Sequence, residues 1–449
     1  MDSKSILEDI MAKKKILILG AGLVTRPAVE YLSKAGFAVT VASRTVAKGE
    51  ALVEGVEDGR AQAFNVADDN LLEELVAETD LAMSLLPATY HVNVARACLA
   101  HHKPLVTASY VSAEMKSLDA QAKEAGVLLL NELGLDPGID HMSAMRVIHR
   151  VEAAGGKVVS FKSYCGGLPA ADANTNPWGY KFSWSPRGVV VAGTNSARYL
   201  QDGKEVNIPG PELFANHWYV EVPGAGTFEA YPNRDSMSYI GIYGLDDVQT
   251  MLRGTLRYKG WCDCWKALVD LGVLNLEKRN DLAGKTYRAL VTSLVPNAKE
   301  ETLEEDLARH LGLDSKGDVL DRWKWLGLLS DEPVPDEPTL LDVLSHRLQE
   351  KLQYAPGERD LIVLHHQFVA DYGQRKQTIT STMVDEGIPN GHSAMARTVT
   401  LPAAVGAKLI LEGKLPLTGV KIPVEQAIYE PILAELEEMG ISCHETGLD

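Results

Sequence analysis

An α/β fold built on a parallel sheet is what this sequence predicts, and three observations predict it. Over the first 140 residues, short apolar and β-branched runs alternate with helix-like segments, the rhythm of strands joined by crossover helices. A glycine turn, Gly20-Ala21-Gly22, follows directly on the first such run. From about Gly155 the rhythm gives way to glycine-, proline- and aromatic-rich strands, and then to leucines at helical spacing. The expectation is an N-terminal Rossmann-like parallel sheet domain, a mixed antiparallel α+β domain and an inserted all-helical lobe.

Each element follows from its local pattern. Strands are expected at Ile16–Leu19, Val39–Ala42, Ala61–Asn65, Leu81–Leu85, Leu105–Thr107 and Val127–Leu130. Helices are expected between them at Pro27–Lys34, Asn70–Glu78, Val92–Ala100 and Ala113–Ala125, the first with proline near its start, where a missing N–H costs least. Val158–Tyr164, Val189–Val191 and Trp218–Glu221 read as strands of the second domain. Residues 262–352 carry leucines at helical spacing among many charges, interrupted by the loop DEPVPDEP at 331–338. Val363–Gln367 and Gln377–Val384 then return as strands, and the helices Ala403–Leu411 and Ile428–Met439 are expected to pack back near the start of the chain. The domains so drawn are 1–139 with about 393–449, about 140–261 with 353–392, and about 262–352.

Composition narrows the classes. A chain of 449 residues, 45% hydrophobic and 23% charged, can bury sizeable cores. Its net charge of -17 disfavours partners that are themselves polyanions, so neither nucleic acid nor a membrane surface is expected. No apolar run approaches the roughly 20 residues of a membrane span, and MDSKSILEDIMAKKK lacks the apolar core of a secretory leader, so a cytoplasmic location is expected. The cysteines Cys98, Cys165, Cys262, Cys264 and Cys443 show no C-x-x-C spacing, which points to reduced thiols and no structural metal.

The turn Gly20-Ala21-Gly22-Leu23-Val24-Thr25 has the G-x-G-x-x pattern that opens a helix against a dinucleotide pyrophosphate. Gly20 permits the turn, Gly22 lets backbone approach the phosphates, and Thr25 stands where a third glycine is usual. At the end of the second strand, Ser43-Arg44-Thr45 replaces the carboxylate that would bind a ribose diol. Arg44 offers a fork of donors to a 2′-phosphate, with Ser43 and Thr45 adding hydroxyls, so NADP(H) is preferred and NAD(H) is the alternative. Ligands in such sheets lie beyond the carboxyl edge, which nominates Asn65 and Val66 on the adenine side. The same rule nominates Leu86, Pro87, Thr107, Ala108 and Ser109 on the nicotinamide side.

Several distinctive strings occur in order: TASYVS, NELGLDPGIDH, SYCGGLPA, YKFSWSP, YPNRDS, RGTLRYKG and GHSAMARTVTLPAA. Over nearly the whole chain they resemble the saccharopine reductase family, the glutamate-forming saccharopine dehydrogenases, including the equivalent portion of bifunctional aminoadipic semialdehyde synthases. The resemblance implies an oxidoreductase of lysine metabolism that condenses L-glutamate with L-2-aminoadipate 6-semialdehyde to saccharopine, by hydride transfer from NADPH to an imine, reversibly. It also implies a homodimer. Saccharopine carries three carboxylates and two amines, so its site needs fixed cations, and Arg234 and Arg257 are the natural carboxylate clamps. The family positions matched by Ser109, Tyr110, Asp136, Ser183, Ser185, Thr255 and Leu256 look like further substrate contacts. Asp136 stands at the mouth of an expected helix with Pro137 as its first residue, able to cap it or to attract an ammonium. His141 reads as a helix-packing residue of the same helix. Asp136, Tyr110, Cys165 and bound water are the candidate proton carriers. An NAD-dependent saccharopine dehydrogenase, a carboxynorspermidine or homospermidine synthase and a non-catalytic nucleotide sensor are the rival readings.

Overall fold

The computed structural model describes residues 13–448. They divide into two units, one from 13–150 with 392–443, the other from 151–391 with 444–448.

In the first unit, β1 (Lys15–Leu19), β2 (Ala38–Ser43), β3 (Gly59–Ala63), β4 (Leu81–Ser84), β5 (Leu105–Thr107) and β6 (Leu128–Leu130) form the expected parallel sheet. Their spatial order is β3-β2-β1-β4-β5-β6, and a seventh parallel strand at Gly419–Lys421 continues the edge beyond β6. This is the doubly wound order, with its reversal point between β1 and β4. Leu17 and Leu19 of β1 share one apolar core with Val94, Cys98, Leu105 and Leu129. The helix Arg26–Lys34 buries Pro27, Ala28, Val29 and Leu32. Against it packs Ala394–Leu411, which is long and apolar enough to cross a bilayer but is 78% buried as a core helix.

The second unit is built on β7 (Lys157–Pro169), β8 (Ala197–Gln201), β9 (Lys204–Ile208), β10 (Trp218–Val222), β11 (Gly226–Pro232), β12 (Thr250–Arg257), β13 (Asp360–Asp371) and β14 (Lys376–Glu386). A short strand at His444–Thr446 completes a nine-stranded sheet, mixed because β7 runs parallel to β12 and antiparallel to β13. The helices Trp261–Leu271, Tyr287–Leu294, Leu303–Leu311, Asp318–Leu326 and Leu340–Lys351 occupy the leucine-rich stretch. Their Trp265, Trp323, Leu326 and Leu344 fall in one continuous core with Tyr164, Leu252 and Val363 of the sheet.

Three local expectations are corrected. Val189–Val191 is not a strand but lies in the helix Pro186–Ala192. Ser185 Oγ accepts the Gly188 N–H and Pro186 sits at the first turn, so capping and the burial of Val189 and Val190 override the strand preference of three valines. The helix expected over Ala113–Ala125 is two, Ala113–Ser117 and Asp119–Glu124, because Leu118 N donates to Met115 O in a tightened turn. The helix after Asp136 begins at Ile139 rather than Pro137, and the Asp136–Pro137 bond is cis.

Trp323 is fully buried in the second core. Trp323→Ala should destabilise the protein by about 3–5 kcal/mol, read as a lowered urea midpoint.

Candidate active site

The carboxyl edge of the parallel sheet gathers the nucleotide-binding candidates. Gly20 has φ +117, and a Cβ there would stand 2.9 Å from Leu85 O, so only glycine fits where the loop leaves β1 beside β4. Nothing lies within 4 Å of the Cβ position of Gly22, which leaves its backbone open to a pyrophosphate. Thr25 is fully buried. Its Oγ1 accepts from Gly22 N at 3.1 Å and donates to Gly20 O at 3.4 Å, so the hydroxyl knits the loop that a third glycine would otherwise let pack. Thr400, from the helix Ala394–Leu411, adds a hydrogen bond to Val24 O at 3.0 Å. Leu23 projects into solvent at 74% exposure.

At the end of β2, Arg44 is exposed and has no ion-pair partner among the described residues. Ser43 Oγ donates to Thr45 O at 2.9 Å, bending the chain around Arg44, and Thr45 begins the helix Val46–Val53. Asn65 is exposed past β3, its Oδ1 accepting from Ala67 N at 3.2 Å, and Val66 is half-buried. Leu86 is half-buried and Pro87 exposed past β4. The residues present thus fit a dinucleotide: an open glycine backbone, a free guanidinium where a 2′-phosphate would lie, and no carboxylate in Ser43-Arg44-Thr45 to repel it.

Past β5, Thr107 is buried while Ala108, Ser109 and Tyr110 are half-buried. Tyr110 Oη donates to Asp136 Oδ1 at 2.7 Å, so two of the proposed substrate residues are joined. Glu132 brackets this segment. Its N–H donates to Ser109 O at 3.2 Å and its Oε1 accepts from Val111 N at 2.8 Å. Its Oε2 lies 2.7 Å from His141 Nε2, both side chains being almost wholly buried. His91 holds Ser109 from the other side, through Nε2 at 2.9 Å from Ser109 Oγ. Sequence reasoning missed Glu132 and His91 and gave His141 only a packing role. Glu132 and His141 lie within the string NELGLDPGIDH, whereas nothing in the local sequence marks His91.

The second unit carries the remaining candidates. Cys165 of β7 is the register partner of Thr255 on β12, which pairs in turn with Tyr231 on β11. Three of the distinctive strings therefore lie on adjacent strands. Arg257 is 7% exposed and stacks against the rings of Tyr180 at 5.1 Å and Trp261 at 5.2 Å. Its Nη1 donates to Leu256 O at 2.8 Å, while its Nε is buried without a hydrogen-bond partner among the described residues. Its cross-strand neighbour Glu229 turns its carboxylate instead to the N–H groups of Gly260 and Cys262. Burial pushes the Tyr180 and Tyr231 phenols up, and the nearby Arg257 charge pulls them the other way. Ser183 Oγ is likewise buried without a partner among the described residues. Ser185 caps its helix, Leu256 is wholly buried, its carbonyl taken by Arg257, and Arg234 is exposed with φ +52 beside a hollow of about 420 Å³ lined also by Arg198 and Asp235.

Fold and cofactor edge define a dinucleotide-binding protein of the oxidoreductase kind. Residues 16–130 match the saccharopine dehydrogenase NADP binding domain and residues 134–441 the saccharopine dehydrogenase C-terminal domain, so the chain belongs to the saccharopine dehydrogenase family. Among curated proteins it is 41% identical to the saccharopine dehydrogenase [NADP(+), L-glutamate-forming] of Pyricularia oryzae, over 97% of this chain and 99% of that one. It is 40% identical to the mitochondrial alpha-aminoadipic semialdehyde synthase of Bos taurus, where the match covers 96% of this chain and 47% of the relative. Its fold matches the apo saccharopine dehydrogenase (L-Glu forming) of Saccharomyces cerevisiae with a TM-score of 0.89, at 37% identity and over 96% of this chain and 99% of that one.

Burial pushes His91 down from 6.5 to about 4, and His365 of β13 to about 4 as well. Both folded values lie below the unfolded one, so the stability tied to these neutral rings is complete above pH 6.5 and is lost as pH falls towards 4. The unfolding free energy from urea titrations should therefore drop across that window, by up to about 1.4 kcal/mol per pH unit for each ring, and His91→Gln should make the slope shallower.

Proposed function

We propose that the chain catalyses the NADP(H)-dependent, reversible reductive condensation of L-glutamate with L-2-aminoadipate 6-semialdehyde to saccharopine. The amine of glutamate adds to the aldehyde carbon, water leaves, and the resulting imine takes a hydride at carbon and a proton at nitrogen. The nicotinamide supplies that hydride, or accepts it in reverse, when bound. What this chain's residues contribute is binding and orientation.

The observation that carries the reading is Arg257. A guanidinium at 7% exposure with no carboxylate partner among the described residues is costly to the folded chain and matched to an anionic ligand. The adjacent rings of Tyr180 and Trp261, their centroids 4.7 Å apart, hold the guanidinium and keep water from it, which strengthens a charge-assisted bond to a substrate carboxylate. Arg234 offers a second, exposed cation, and Asp136, oriented by Tyr110, offers an anion for the substrate ammonium. Tyr110 and Asp136 are the pair to which we assign proton transfer at the reacting nitrogen, with Cys165 as a further candidate. Ser109, Ser183, Ser185 and Thr255 supply hydroxyls. Family membership supports the whole assignment. Ser43-Arg44-Thr45 supports NADP(H) over NAD(H).

The reading extends to a cytoplasmic homodimer. Five cysteines without C-x-x-C spacing suit a reducing compartment, and the family resemblance suggests the dimer. Sedimentation should give twice the 48.8 kDa chain mass.

The test follows the near-ultraviolet absorbance of reduced nicotinamide with saccharopine and either NADP or NAD. Turnover should prefer NADP, and Arg44→Asp should shift the preference towards NAD by at least about tenfold. Turnover with NAD alone would refute the role of Arg44. Arg257→Met should raise KM for saccharopine about 100-fold, the size of a lost charge-assisted contact of roughly 3 kcal/mol. The same variant should unfold at an equal or higher temperature than the wild type, because it removes a buried charge that has no carboxylate partner among the described residues. A fall in unfolding temperature would mark Arg257 as a structural ion-pair arginine and sink the clamp.

A further inference from the structure

Three hydroxyl groups from two strand ends of the first unit converge on one imidazole. His91 opens the helix His91–Ala100 and is 4% exposed. Its Nδ1 lies 2.8 Å from Ser84 Oγ at the end of β4, and its Nε2 lies 2.9 Å from Ser109 Oγ and 3.2 Å from Thr107 Oγ1 at the end of β5. Thr107 Oγ1 also accepts the Ser109 backbone N–H at 3.3 Å. Ser84 and Thr107 are each 1% exposed, so the network is dry on every side but that of Ser109. Ser109 is the one member that reaches the open edge of the sheet.

We propose that His91 is a positioning residue for the reaction: it aims the Ser109 hydroxyl at the substrate by tying it to the ends of β4 and β5. This rests on the reading of Ser109 as a substrate contact. A serine hydroxyl on a loop rotates freely among its staggered positions, and a freely rotating donor must be ordered each time it meets a ligand. The imidazole removes that freedom before the substrate arrives. It does so from a rigid support, since Ser84 and Thr107 belong to strands and His91 to a helix. The ring is not itself a proton carrier. Burial keeps it neutral across the working range, and its hydrogen-bond partners among the described residues are hydroxyls, with no carboxylate to take a proton onward.

The two ring nitrogens can be removed separately. The amide of His91→Asn reaches the place of Nδ1, so it can keep Ser84 and must release Ser109, whereas the longer His91→Gln reaches the place of Nε2 and can keep Ser109. Full-length wild type, H91N, H91Q, S109A and H91N/S109A are compared by kcat/KM for saccharopine, with NADP binding by fluorescence as the check of folding. H91N should lose about 10- to 100-fold, the scale of a misplaced contact near the reacting centre. H91Q should recover at least about tenfold of that loss. The double variant should fall no more than about twofold below the worse single one, because both changes remove the same contact. If S109A alone leaves kcat/KM unchanged, Ser109 is not a substrate contact and the underlying reading fails. If S109A loses activity but the two losses multiply, or H91Q is no better than H91N, the role of His91 is overturned and the reading of Ser109 stands. Should H91N fail to bind NADP, the cost of H91Q is measured with and without S109A: a cost that persists at full size in S109A overturns the proposal, and one that vanishes supports it.

Discussion

Parallel pairing of β1 with both β2 and β4 is the constraint on which the rest of the first unit depends. Parallel strands all end on one edge, so every segment that leaves them by its carboxyl end emerges at the same face. Gly20, Ser43, Leu86, Thr107 and Asn131 are brought together by that rule alone, although they are scattered over more than a hundred residues. The reversal of strand order between β1 and β4 opens the crevice, and the close approach of Gly20 to Leu85 O shows how little room is left at its floor. The edge is then furnished differently on its two sides. Towards β3 it is exposed and carries Arg44. Towards β6 it is half-buried and wired by hydrogen bonds through His91, Glu132 and Asp136.

That wiring has a physical logic. Residues 108–111 have no strand or helix of their own, so their conformation must be imposed from outside. Glu132 imposes it through the backbone, accepting from Val111 and donating to Ser109, and His141 holds the carboxylate that does so. A buried carboxylate and imidazole are tolerable because both are hydrogen-bonded, to each other and, for Glu132, also to Val111 N. Glu132 adopts φ +60, a conformation that non-glycine residues avoid, at the one position where its side chain and its own N–H must both face the 109–111 loop.

The sequence was legible where structure is local. Alternation of apolar runs placed six of the seven strands of the parallel sheet to within two residues but not Gly419–Lys421, and the glycine turn and Arg44 lie where their motif puts them. It was misleading where local signals compete: three valines at 189–191 read as strand, although Ser185-Pro186 just before them is a helix start and the burial of Val189 and Val190 completes it. It was silent where the feature is a relation between distant groups. His91 acquires its partners from residues 84, 107 and 109 only once β4 and β5 are side by side. The string RGTLRY marks Arg257 as a carboxylate clamp, but its burial and its lack of a carboxylate partner among the described residues are properties of its surroundings that the string does not carry.

Arg257 and His91 represent two ways of preparing a polar group for a ligand, and they load stability in opposite directions. The arginine is held charged and desolvated, with Nε unpaired and no carboxylate beside it among the described residues, so the folded chain carries a cost that an anion would relieve. The histidine is held uncharged and fully matched, so its network stabilises the fold and leaves only the Ser109 hydroxyl turned outward. A carboxylate is strongly solvated and needs a strong, dry counter-charge to leave water. A neutral hydroxyl contact gains little from added charge and much from a fixed direction. On the proposed function, the chain concentrates uncompensated charge where the ligand would bring the opposite charge, and satisfied hydrogen bonding where the ligand would need only orientation.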